Sequence, residues 1–151
     1  VRFAFVNCTS LIVAPDVPDT IEDLTSTYYG CSSITVTPKI PSNAKYMYCT
    51  FYKCTSLTEV GEFPDGLIDA RLTFKACKNL VTAPTIPNGV QNMQELFSLC
   101  SKLSGTVRID ANPETYENCF HGVQGNVVLV GDSTLLNELA ETGTYNNITV
   151  G

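Results

Sequence analysis

The sequence predicts an α/β repeat solenoid, with short parallel strands on one face and short helical returns on the other. Three observations carry that prediction. Cys8, Cys31, Cys54, Cys77 and Cys100 are evenly spaced, with a period of twenty-three. An aromatic stands three residues before each (Phe5, Tyr28, Phe51, Phe74, Phe97) and an aliphatic three residues after (Leu11, Ile34, Leu57, Leu80, Leu103). Nine residues after each cysteine comes Val17, Ile40, Phe63, Ile86 or Ile109, and in the first four units a proline follows. A fixed period of this length marks stacked units. One unit alone buries too little apolar surface to offset the entropy of ordering it, so neighbours must share a core.

The segment Leu80 to Pro87 predicts a short strand closed by proline, which lacks a ladder donor and suits strand ends. The return, such as Val90 to Phe97, places apolar residues three or four apart, as a helical turn does. Strands of successive units would form a parallel sheet. The pattern loosens after Leu103. Val107 and Asp110 replace the prolines, and the next aromatic–Cys pair, Tyr116 and Cys119, comes four positions early. Val127 to Val130 predicts a strand, Asp132 or Ser133 caps a helix running to about Ala140, Gly143 stops it, and Ile148 to Val150 is a last strand. The expected organisation is therefore five repeats over residues 1–110, the first truncated at its N-terminus, then a short terminal coil and capping unit over 111–151. A chain that opens within a repeat is expected to be part of a longer one.

The unit Phe-x-x-Cys-x-x-Leu, followed by prolines and a Val-x-x-Met/Leu return, resembles the BspA-type leucine-rich repeats over roughly residues 1–110. That resemblance implies a surface protein of gut or oral bacteria, of protozoa or of their phages, with an adhesive role and no catalytic motif in its repeats. An extra proline ahead of the apolar–Pro pair (Pro15, Pro38, Pro84) departs from the pattern and leaves two inward/outward registers open for the strand.

The formal net charge of −6 and the pI near 4.6 argue against a nucleic-acid partner, which calls for a concentrated basic patch. No apolar run is long enough to span a bilayer. Two sequons, at Asn7 and Asn147, would matter only in a glycosylating host.

Candidate chemistry is sparse. Cysteines on adjacent units would lie near disulfide distance, yet the preferred reading is a reduced, buried structural ladder, with a disulfide staple as the alternative. No CxxC pair or His partner points to a metal. Cys49 and Cys119 stand off the column. Cys119 and His121 suggest a thiol–imidazole pair, but no acid is positioned to orient the imidazole. Neither a catalytic group, a cofactor site nor a metal site is expected.

Two surfaces are candidates for binding, with weak mutual support of neighbouring charges as the structural alternative for the first and cover of the convex face as that for the second. Asp16, Lys39, Glu62, Thr85 and Arg108, eight residues after each cysteine, form an outward polar strip on the strand side. Tyr46, Tyr48 and Tyr52 fall off the core phase in one return, with Tyr29 nearby, and tyrosine favours interfaces. The expected function is a non-enzymatic surface or secreted module that recognises a protein or glycan on a host or neighbouring cell. The alternative is a spacer, stalk or tail-tip segment of a larger bacterial surface or virion protein.

Overall fold

The computed structural model describes residues 1–151, and it overturns the α/β repeat solenoid. Helix is limited to α1, Leu136–Ala140. Strand is limited to β1 (Gly105–Arg108), β2 (Val127–Val130) and β3 (Ile148–Val150), which form one open parallel sheet in the order β1-β2-β3. Of 76 backbone hydrogen bonds, 70 lie outside these elements, so turns rather than helices or strands hold the chain.

The helical returns fail for a definite reason. Two positions in each period are left-handed. Phe3, Ser26, Cys49, Leu72, Glu95 and Asn118 form one row, with φ between 52° and 57°. Asn7, Lys53, Ala76 and Leu99, with Gly30 and Gly122, form the other. A left-handed residue cannot continue a right-handed helix. Consecutive turns joined this way still place apolar side chains three or four apart, which is the spacing that suggested helix.

The strands of the first four units fail for a different reason. Prolines remove donors from the segments around residues 15–18, 38–41 and 84–87, and only single parallel bridges remain there, Val36 to Glu59 and Ile86 to Ile109. Where the prolines are absent, at Gly105–Arg108, a ladder forms against β2.

What the sequence period does set is contact between successive turns. Leu24, Ser26, Tyr28 and Gly30 donate their N–H groups to the carbonyls of Tyr46, Tyr48, Thr50 and Tyr52 at 2.8, 2.9, 3.0 and 2.8 Å. Met47, Cys49, Phe51 and Lys53 repeat this onto Asp69, Arg71, Thr73 and Lys75. Had these N–H groups entered a helix, none would reach the neighbouring turn.

The aromatic rings stack in one column. Tyr28 and Phe51 have ring centroids 5.3 Å apart with planes 2° apart, and Phe97 continues to Phe120 at 5.6 Å. Phe120, not Tyr116, thus carries the column past residue 110, since it lies one full period after Phe97. Each such pair adds about 0.5–1.5 kcal/mol beyond burial alone. The cysteine column lies alongside. Cys54 Sγ donates to the Tyr28 carbonyl at 3.1 Å, and Cys77 Sγ to the Phe51 carbonyl at 3.0 Å. Thr50 and Thr73 do the same with their hydroxyls, onto Leu24 O at 3.0 Å and Met47 O at 2.8 Å. A cysteine suits the site because it packs as a small apolar group and yet offers a donor.

At the C-terminal end, Phe120 and Gly122 donate to the hydroxyls of Thr142 and Thr144 at 3.1 and 2.9 Å, in place of a further set of carbonyls. β2 and β3 lie where the sequence places them, but α1 starts at Leu136, with Ser133 Oγ accepting only the Leu135 N–H. Gly131 closes β2 at φ 128°, where a Cβ would lie 2.3 Å from the Ile109 carbonyl oxygen.

Substitutions at two positions test this account of the core. Phe74→Ala, which empties the middle of the stack, is expected to lower the unfolding free energy by about 3–5 kcal/mol in urea denaturation. Cys77→Ala removes the thiol donor to the Phe51 carbonyl, whereas Cys77→Ser keeps a donor of similar size there, and the alanine variant should be the less stable by about 1 kcal/mol. An alanine variant as stable as the serine one would show that the thiol column acts by packing only.

Candidate functional site

The strand-side strip faces outward as expected: Asp16, Lys39, Glu62 and Arg108 are exposed and Thr85 is half-buried. Val17 to Ile109 of the next column turn inward, so the register left open by the extra proline is resolved. The strip's polar groups, however, are engaged within the chain. Asp16 Oδ1 accepts the Lys39 N–H at 2.9 Å, and Glu62 Oε2 accepts the Thr85 N–H at 3.2 Å. Lys39 Nζ reaches Asp19 at 2.7 Å, and Arg108 reaches both Asp110 and Asp132. These carboxylates replace ladder acceptors on a face where proline has interrupted the ladder.

The tyrosines divide. Tyr46 and Tyr48 lie together, 41% and 39% exposed, in a groove of about 530 Å³ lined also by Arg2, Asp23, Thr25, Asp69 and Arg71. Tyr52 lies in a different groove, edge-on to Tyr29 with centroids 4.9 Å apart, and Lys53 Nζ is 5.3 Å from its ring centroid. The return segment therefore does not present one tyrosine cluster.

The first groove is built from two columns separated by one buried residue. Asp23, Tyr46, Asp69, Asn92 and Thr115 are joined by single parallel bridges, one residue per turn. Thr25, Tyr48 and Arg71 lie two residues further along each turn, and between them Leu24, Met47 and Ala70 point into the core. Alternation at a bridged position thus fixes both flanking side chains outward.

Arg71 is held rigidly. Its Nε meets Asp69 Oδ1 at 3.0 Å and its Nη2 meets Asp69 Oδ2 at 2.6 Å, while Asp69 Oδ1 also accepts the Arg71 backbone N–H at 3.0 Å. The guanidinium carbon is 5.1 Å from the Tyr48 ring centroid. The Asp69 hydrogen bond raises the Arg71 pKa, so the cation is fixed in charge as well as place. Asp23 organises the N-terminal side in the same way, accepting Thr25 N–H at 2.9 Å and Arg2 Nε at 2.8 Å. Burial raises its pKa, but the bonds from Thr25 and Arg2 outweigh that and lower it. Sequence reasoning missed Asp23, Asp69 and Arg71. Their signal was present, since they share the phase of Tyr46 and Tyr48 relative to the cysteine column.

The thiol–imidazole pair does not form. Cys119 is fully buried and burial pushes its thiol up to about 12, while His121 is exposed and bonded through Nδ1 to Thr144 Oγ1 at 3.1 Å. All seven cysteines are unpaired thiols, and burial also raises Cys31, Cys54, Cys77 and Cys100. No group of three or more His, Cys, Asp and Glu is arranged to hold a metal ion. No helix is long and apolar enough to cross a membrane.

Two measurements follow from this chemistry. A soluble aromatic disulfide should label one thiol quickly in the native chain, the exposed Cys8, and all seven only after unfolding. Rapid native labelling of several would contradict the buried column. The carboxylates of Asp19, Asp23 and Asp110 lie below their usual value, chiefly through Lys39 for Asp19 and the Asp132 N–H for Asp110. Their ionised forms favour the folded chain, so this stability is complete above about pH 4 and is lost as pH falls through the lower folded values. The urea midpoint should drop between neutral pH and about pH 3, and drop less in Asp23→Asn/Asp110→Asn.

No family model, curated protein or solved structure matches the chain, and the geometry of its own surface carries the functional reading.

Proposed function

We propose that the chain is a non-enzymatic recognition module that docks a protein or glycan partner, displayed at a cell or virion surface, on the groove of Tyr46, Tyr48 and Arg71. One observation carries this reading: an arginine whose position is fixed by a bidentate carboxylate and by the ring of exposed Tyr48 lies in one groove with a second exposed tyrosine, Tyr46. Holding a polar group in place before the partner arrives reduces the ordering cost of association. Tyrosine and arginine are also the residues that most often dominate binding energy. The strand-side strip suits the role less, because its carboxylates and cations already bond one another and the backbone.

The test screens the chain against immobilised cell-surface glycans and extracellular-matrix proteins, then repeats each positive with Tyr48→Ala/Arg71→Ala. The double variant should weaken the interaction by about tenfold or more, a loss typical of central interface residues. Lys39→Ala/Glu62→Ala should leave it intact. Positives indifferent to Tyr48 and Arg71 would move the site elsewhere, and a screen without positives would favour a spacer.

A further inference from the structure

Six of the nine Lys and Arg side chains form ion pairs, and the three that do not are Lys53, Lys78 and Lys102. Two of these three share one groove. Lys53 and Lys78 line a hollow of about 480 Å³ together with Asn7, Tyr52 and Leu99. Lys78 and Leu99 also line the adjoining hollow of about 420 Å³, which continues to His121 and Tyr145. The two form a single furrow across the turns, and no residue of it belongs to the groove of Tyr46 and Tyr48.

Its charge is one-sided. The chain has 15 acidic residues, yet none lines either hollow. A third hollow is lined by Asp65, Asp110 and Asp132 and by no Lys or Arg, although Arg108 pairs with the last two. The furrow also repeats. Thr9, Ser32, Thr55, Lys78, Ser101 and Gln124 succeed one another at steps of one period, and every one of them lines it. Each turn thus contributes one polar side chain to a row, at the rung spacing of about 4.8 Å that parallel backbones keep, with the Ser101 hydroxyl donating to the Lys78 carbonyl and free to accept. Tyr145 is 56% exposed and Tyr52 half-buried, so ring surface is present at separate points along the furrow.

We propose that this furrow binds a linear anionic polysaccharide bearing carboxylate or sulfate groups along its length. Unpaired ammonium groups attract the charges, the row of hydroxyls and amides meets sugar hydroxyls, and the tyrosine rings offer flat apolar surface to the C–H faces of the sugars. A row that repeats by turn matches a ligand that repeats by residue. Nucleic acid fits less well, because single strands are held by successive bases stacking on aromatic side chains, and the two rings of this furrow, Tyr52 and Tyr145, stand apart in separate hollows. The site is distinct from the groove of Tyr46 and Tyr48, and binding here does not depend on that groove's role.

The experiment titrates the intact chain with fluorescently labelled dextran sulfate, polygalacturonate and neutral dextran at about 0.15 M salt, where weak long-range attraction is screened. Binding of at least one anionic polymer, and not of neutral dextran, is expected, and which one binds identifies the acidic group. Lys53→Asn/Lys78→Gln should weaken binding about tenfold, with Asn chosen because it tolerates the left-handed backbone at position 53. Lys39→Gln/Lys45→Gln removes the same charge from ion pairs elsewhere and should change binding less than about twofold. In parallel, amide chemical shifts of the unsubstituted chain should move at Lys53, Lys78, Ser101 and Gln124 on adding the polymer. Failure to bind either anionic polymer, equal weakening by the two double variants, or shifts confined to other residues would overturn the proposal. Displacement of the polysaccharide by an equal concentration of single-stranded DNA would overturn its assignment to glycans.

Discussion

The hydrogen bonds from each turn to the carbonyls of the next are the constraint on which the remaining architecture depends. Leu24, Ser26, Tyr28 and Gly30 donate outward from their own turn, and pointing alternate N–H groups that way requires left-handed residues at Ser26 and Gly30. A left-handed L-residue costs roughly 1–2 kcal/mol. A buried N–H without a partner costs about 1–3 kcal/mol, and each left-handed pair satisfies several of them. The balance favours the strained backbone. The aromatic, cysteine and threonine columns then follow, because turns fixed one period out of step bring like side chains into register.

Both surfaces assigned to binding are products of the same geometry. A bridged residue such as Tyr46 or Asp69 is flanked by buried Met47 or Ala70, and its second neighbour is turned outward again. That alternation sets Tyr48 beside Arg71 and leaves Asp69 close enough to fix the guanidinium. On the other flank the left-handed row carrying Lys53, Ala76 and Leu99 lines the cationic furrow. Charges sort by face because position within the turn, rather than position along the chain, decides where a side chain emerges.

The inward columns were legible in the sequence since burial at a fixed phase leaves a compositional trace. Phe51, Cys54 and Leu57 repeat as Phe74, Cys77 and Leu80, and all six are buried. Secondary structure was not legible in the same way. Val90, Met93 and Phe97 have helical spacing, but Glu95 and Leu99 are left-handed, and neither residue type advertises that conformation. The continuation at Phe120 was hidden by Tyr116 and Cys119, which imitate the aromatic–Cys pair four positions out of phase. Outward orientation of Asp16, Lys39, Glu62 and Arg108 was readable, whereas their engagement by Thr85 N–H or Asp19 was not, because it depends on the proline-interrupted ladder. Tyr46 and Tyr52 lie six residues apart, and only the path of the turn separates them into different grooves.

The two left-handed rows also govern which sequences this backbone admits. One row carries Phe, Ser, Cys, Leu, Glu and Asn; the other carries Asn, Gly, Lys, Ala, Leu and Gly. In polarity and size these positions look unconstrained, and several are solvent-facing. Yet none holds Val, Ile or Thr, although those three types are common elsewhere in the chain, because branching at Cβ crowds the carbonyl in that conformation. The chain therefore has liberty of chemistry but not of shape at these sites, and its surface can vary there only within a narrow stereochemical alphabet.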